Sequence, residues 1–157
     1  MAHEYRATVS WTRNGETFSD NRYSRGHLWS FDGGVQVPAS SSPSVVPLPL
    51  SREDAVDPEE AFVAAVSSCH MLTFLSIAAK KRFVVDAYED RAVGVMTKNP
   101  KGKLFVSKVT LDPTIEFSGE KRPTPEQIAD MHHLAHQECF IANSVLTEVE
   151  VAGIPSH

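Results

Sequence analysis

"DPEEAFVAAVSSCHMLTFLSIAAKK", residues 57–81, is the stretch on which the fold turns. Asp57 is placed to cap a helix, Pro58 suits its first turn, and Glu59 and Glu60 sit where the helix dipole favours negative charge. Lys80 and Lys81 suit the opposite end, so the spacing predicts one long helix. From Ala61 to Val66 every residue is apolar and no polar face exists. A helix apolar on all sides is expected to be buried on all sides. In a chain of 157 residues that implies a central helix wrapped by sheet, and by a partner subunit as well.

Working outward, "HEYRATVSW" alternates, with Tyr5, Ala7, Val9 and Trp11 on one face, and reads as a half-buried strand. Asn14-Gly15 is a hairpin signal, with the next strand expected from Thr17 and Phe18. "YSRGHLWSFDGGVQVP" reads as short strands around a turn at Asp32-Gly33-Gly34. Pro38, Pro43, Pro47 and Pro49, with a serine cluster, mark an irregular surface segment. Beyond the helix, "RFVVDAYEDRAVGVM" and "KLFVSKVTLDPTIEF" read as two long strands joined by "KNPKGK". Thr124-Pro125-Glu126-Gln127 opens a second helix with a capping box, and "SVLTEVEVAG" alternates as a closing strand. The order predicts an α+β fold with an antiparallel sheet, in a single domain over residues 1–157.

Composition narrows the function. A hydrophobic content of 41% and a charged content of 22% describe an ordinary globular chain. A net charge of -5, with Lys and Arg clustered only at Lys80, Lys81 and Arg82, argues against nucleic acid as a partner. The charged, alternating N-terminus has no signal-peptide pattern, and no apolar run reaches the ~20 residues of a membrane span. Neither secretion nor a membrane partner is expected, and a cytoplasmic location is. In such a reducing compartment a permanent structural disulfide is not expected.

That leaves Cys69 and Cys139 open to three readings. The bland one makes each an inert core residue, since free cysteine is among the most buried residue types. A metal reading rests on His132, His136 and Cys139, which share one helical face, though a structural site normally needs four ligands and no CxxC or HExxH is present. Otherwise His132, His133 and His136 are helix-surface and capping residues. The redox reading needs a cation near one thiol. A free thiol near ~8.5 is only a few per cent thiolate at neutral pH, and about 2.7 kcal/mol makes it mostly thiolate. One arginine at close range supplies about 4 kcal/mol at an intermediate dielectric. The long helix holds no arginine before Arg82, so Arg22 and Arg25 of "NRYSRGH" are the candidates.

Two stretches together resemble the OsmC/Ohr family of bacterial thiol-dependent peroxidases: "DPEEAFVAAVSSCHMLTFLSIAA" and "RPTPEQIADMHHLAHQECFIANSV". An acidic-Pro-Glu helix start stands ten residues before Cys69, counted from Glu59, and a later "AH-x-x-C" carries Cys139. The resemblance runs more weakly over the N-terminal hairpin and "FDGG". It implies an OsmC-like α+β fold, antiparallel sheets wrapped around a central buried helix, and an intertwined homodimer with active sites at the subunit interface. It further implies that Cys69 attacks an organic hydroperoxide and that Cys139 resolves the sulfenic acid. Arg25, or alternatively Arg22, would favour the thiolate, with Glu59 holding the guanidinium. No cofactor is implied, only an external dithiol or lipoyl-type reductant, in a protein of the oxidative stress response.

Relatives of the organic-hydroperoxide type usually have proline after the second cysteine, where this chain has Phe140. Phe62, Met71, Phe74 and Phe140 would either wall an apolar substrate site or simply be core. Cys139, at a helix end beside "FIANSV", is expected to move easily towards the first sulfur. Two other functions fit the same residues: a non-catalytic stress-response or ligand-binding protein of this fold, and a Cys/His metal-binding protein.

Overall fold

In the computed structural model, which describes residues 2–156, Asn14 (φ 52°) and Gly15 (φ 79°) both take left-handed backbone, as an Asn-Gly turn requires. The strand expected from Thr17 does not follow. Trp11, Phe18 and Tyr23 gather there instead, with Phe18 and Tyr23 stacked at 4.7 Å. Strand β1 (Ala7–Ser10) pairs with β2 (His27–Phe31), and β2 pairs with β3 (Gln36–Ala39), all antiparallel. Gly34, at φ 89°, closes the β2–β3 turn with its N–H donating to the Phe31 carbonyl at 3.0 Å. The proline-rich segment is irregular, as expected. It is tied down by the Arg52 N–H donating to Ser40 Oγ at 3.0 Å and the Arg25 N–H to the Leu50 carbonyl at 2.7 Å. These elements belong to the first of two compact units, which ends at Ala61; the second starts at Phe62.

Helix α1 (Pro58–Lys80) begins at the expected place. Asp57 Oδ1 accepts the Glu60 N–H at 2.8 Å, and Glu60 Oε2 accepts the Asp57 N–H at 3.2 Å, a reciprocal cap. Helix α2 (Pro125–Glu138) opens with the expected box between Thr124 and Gln127. With 23 residues and a mean hydropathy of 1.7 over an 18-residue window, α1 does have the length and composition to cross a membrane, which corrects the expectation that no segment qualifies.

The two long strands expected downstream each break in two. β4 (Val84–Asp90) pairs with β7 (Pro113–Ser118), while β5 (Val93–Lys98) pairs with β6 (Leu104–Leu111). A single bent hairpin thus contributes to two sheets. Asp90 holds the bend: its Oδ1 accepts the Asp112 N–H at 2.7 Å, and its Oδ2 accepts the Ser67 hydroxyl from α1. β8 (Glu148–Val151) joins β6 in parallel, a departure from a purely antiparallel sheet.

Each of these two sheets packs on one half of α1. Val66 joins Val109 and Leu111 in one core, backed by Phe62, Val63 and Val149. Phe74, Ile77 and Ala78 join Phe83, Met131 and Ala135 in the other, backed by Tyr88 and Ile115. Gly94 lets β5 approach the helix, since a Cβ there would lie 2.5 Å from Val63 Cγ2. The helix is not covered all round within one chain, because Ala64 and Ala65 are exposed and Leu72 is 60% exposed.

Candidate active site

Cys69 lies between the two cores of α1, one turn after Val66 and one turn before Phe74. Cys139 is the residue that ends α2, buried at 1% exposure. The structure brings the two together: the Cys69 thiol is near enough to raise the pKa of Cys139, and both are free. Burial pushes the Cys139 thiol up, and the neighbouring Cys69 thiol adds to this, while backbone N–H groups at Ala142 and Ile141 pull the other way. Cys139 is accordingly a protonated partner at neutral pH.

The segment after Cys139 is fixed rather than loose. Asn143 N–H donates to the Cys139 carbonyl at 3.0 Å, and the Asn143 side chain donates to the carbonyls of Gln137 and Cys139 at 2.8 and 3.0 Å. Ala142 N–H points at Cys139 Sγ at 3.5 Å. The backbone beside Cys139 is thus anchored, against the easy movement expected of it.

Of the other expected residues, Glu59 stands in the first turn of α1, on the same helix as Cys69. Arg25 donates to the Asn21 carbonyl at 3.1 Å, to Asn21 Oδ1 at 2.8 Å and to the Tyr23 carbonyl, with its guanidinium 3.7 Å over the Tyr23 ring. No ion pair joins Arg25 to Glu59 among the described residues. Arg22 has its N–H on Asp20 Oδ1 at 3.1 Å. Phe74 is core, Phe62 is partly buried against the Val66 cluster, and Phe140 is 80% exposed beside Cys139.

Sequence reasoning missed a buried histidine pair. His70, next to Cys69, and His132, two turns before Cys139 on α2, meet through Nε2 and Nδ1 at 2.9 Å, at 1% and 2% exposure. Phe74 lies 4.4 Å from the His132 ring, between it and Tyr88. His70 Nδ1 and the Tyr88 hydroxyl are buried without a partner. Burial pushes the Tyr88 hydroxyl up, with the Asp90 carboxylate adding to it. The His132–Cys139 spacing was the available signal, since whatever shares that face of α2 shares its burial. Among the described residues no group of three or more His, Cys, Asp or Glu is placed to hold a metal. His132 is committed to His70 and Cys139 to Cys69, so the metal set drawn from the sequence does not converge.

The fold is a two-helix α+β unit in which a thiol from the middle of α1 meets one from the end of α2. The sequence matches the OsmC-like protein family over residues 51–152, and the chain belongs to that family. An OsmC-like protein of unknown function from Vibrio cholerae is 60% identical, with a TM-score of 0.93 over 96% of this chain and 98% of that one. An organic hydroperoxide resistance protein from Elizabethkingia anophelis shares the fold at 18% identity, with a TM-score of 0.69 over 96% of this chain and 94% of that one. One from Bacillus subtilis does so at 14% identity, with a TM-score of 0.66 over 95% and 96%. No curated protein matches the chain.

Proposed function

We propose that this protein is a peroxidase that reduces organic hydroperoxides with its cysteine pair, Cys69 as the attacking thiol and Cys139 as the resolving one. The observation that carries this reading is the proximity of two free, interacting thiols, one inside α1 and one ending α2. Structural neighbours that are hydroperoxide resistance proteins support the choice of substrate class.

The chemistry follows from that contact. Cys69 thiolate attacks the terminal oxygen of ROOH, the O–O bond breaks, and the alkoxide leaves as ROH with one proton. Cys69 is then a sulfenic acid. The Cys139 sulfur attacks it, its proton leaves with the hydroxide as water, and a disulfide forms. The two sulfurs close to about 2.05 Å in that disulfide. An external dithiol returns both cysteines to thiols by exchange. Arg25 is assigned the role of cation for the thiolate, and Glu59 that of the carboxylate orienting it. A cytoplasmic reductant fits the requirement for repeated reduction.

A homodimer belongs to the same reading. Ala64, Ala65 and Leu72 leave apolar surface on α1, and β5 is exposed along its whole length, including Val93, Val95 and Met96. Surface of this kind marks an association site. Light scattering at micromolar concentration should give twice the chain mass; a monomer would remove this element.

The deciding experiment is stoichiometric cumene hydroperoxide consumption with dithiothreitol as reductant. Wild type should turn over, and mass spectrometry of the oxidised protein should find a Cys69–Cys139 disulfide. Cys69→Ser should be inactive. Turnover that persists in Cys69→Ser, or oxidised wild type lacking the disulfide, would sink the proposal.

A further inference from the structure

Peroxide chemistry as proposed above makes no use of the histidine pair, although it joins the two helices that carry the thiols. Its atoms define a tautomer. A neutral imidazole has one N–H, and His70 Nδ1 is buried with no partner. If His70 accepted at Nε2, its proton would sit on Nδ1 as a buried donor with nothing to receive it, the rarer and costlier kind of orphan. His70 therefore donates from Nε2 to His132 Nδ1 across 2.9 Å. The bare Nδ1 lone pair is the lesser defect.

An apolar pair of similar volume would fill this place with no orphan at all. Replacing both partners of a buried hydrogen bond by apolar groups of the same shape is often neutral or stabilising. What the imidazoles add is direction. Leu against Leu tolerates sliding and rotation of one helix on another, whereas a single buried polar pair fixes register, as one buried Asn does in a coiled coil. Register matters here because of spacing. Cys69 is the residue before His70, and Cys139 follows His132 by seven residues, on the same face of the helix it ends. A one-residue slip of α2 would turn Cys139 about 100° away.

We propose that the His70–His132 hydrogen bond is a positioning device that holds α2 in the register where Cys139 meets Cys69. This rests on the thiol-pair reading and adds to it two residues that touch neither peroxide nor reductant. Burial, the largest cause for both rings, keeps the pair neutral, so the bond persists across the physiological range.

The test measures the thiol couple without peroxide. Purified protein is equilibrated with reduced and oxidised glutathione, where each Cys69–Cys139 disulfide formed converts one oxidised glutathione into two reduced molecules. The equilibrium constant reports how well the sulfurs are placed. His70→Leu/His132→Leu should fold at least as stably as wild type, yet lose about tenfold or more in that constant. His70→Gln/His132→Asn puts an amide N–H near the old Nε2 and a carbonyl oxygen near the old Nδ1. It should stay within about threefold of wild type. Should the leucine variant not fold, His132→Asn against His132→Gln gives the same contrast, because Gln carries its acceptor one carbon too far.

A merely structural pair would change the melting temperature and leave the constant alone. A leucine variant, or His132→Gln, within about threefold of wild type overturns the positioning role while the peroxidase reading stands. Wild type that forms no disulfide in glutathione overturns both. A wild type that forms the disulfide in glutathione but consumes no peroxide leaves the register device in place and removes only the substrate assignment.

Discussion

The thiol of Cys139, almost fully buried where α2 ends, lies beside the thiol of Cys69 in the middle of α1, which helps to raise its pKa. That contact separates the two cysteines by role. Cys139→Ser should consume about one equivalent of cumene hydroperoxide per site and then stop, because nothing resolves the sulfenic acid. Mass spectrometry should then find Cys69 carrying one added oxygen, and two or three only where excess peroxide oxidises the sulfenic acid further. Sustained turnover in Cys139→Ser would mean that an external thiol, and not Cys139, does the resolving.

Arg25 is surrounded by acceptors from Asn21 and Tyr23 and lies over the Tyr23 ring, so its guanidinium is held in place before any substrate arrives. Arg25→Ala should slow iodoacetamide alkylation of Cys69 at neutral pH by about tenfold or more, given the size of a close charge interaction. Glu59→Ala should do less, since it removes the orienting group and leaves the charge. If Arg22→Ala slows alkylation and Arg25→Ala does not, Arg22 is the activating residue.

Acid should destabilise the protein through the histidine pair. Burial first, with the neighbouring His136 second and Asp90 opposing, lowers the His70 pKa to about 4. Burial, then His70 and His133, lowers His132 to about 4. The unfolded chain holds these imidazoles at the ordinary 6.5, so between those values it binds more protons than the folded one. Stability is therefore complete above about pH 6.5 and falls, by a few kcal/mol, as pH drops towards 4. Denaturant melts across that window should show the slope, and His70→Gln/His132→Asn, which cannot titrate, should flatten it. An equally steep profile in the variant would place the acid sensitivity elsewhere.

Gly94→Ala should destabilise by about 1–3 kcal/mol, because the new Cβ meets Val63 Cγ2 at 2.5 Å and valine is too stiff to turn away. Val63→Ala in the same chain should recover part of the loss. Full additivity of the two changes in urea unfolding would show that this contact is not the cause.

The ends of both helices were legible in the residues that cap them: Asp57 and Pro58, Lys80, and Thr124 with Gln127. So was the Asn14-Gly15 turn, whose chemistry is local. The break in the long strands was not, because the alternation of "VVDAYEDRAVGVM" runs straight through it. What makes that bend is tertiary, an Asp90 side chain taking the N–H of Asp112 and the hydroxyl of Ser67. The strand expected at Thr17 failed for a similar reason, as three aromatic rings attract one another more than they favour a flat ladder. Cys69 and Cys139 could be marked as a pair only through resemblance, and His132 looked like a helix-surface or capping residue. Histidine is not usually a core residue, and only the burial of both partner faces makes the pair visible.

The parallel seat of β8 has a consequence for how the chain is made. β5 and β6 can zip together as soon as they emerge, since a short turn joins them. The other edge of β6 must wait, because Lys108 pairs with Glu148 and Leu111 with Val151 only after α2 has been synthesised. During that interval an edge carrying Val106, Val109 and Leu111 stands open, the kind of strand that recruits a neighbouring nascent chain. Lys108, in the middle of it, is the charge that discourages such pairing until Glu150 arrives to accept its ammonium at 3.2 Å.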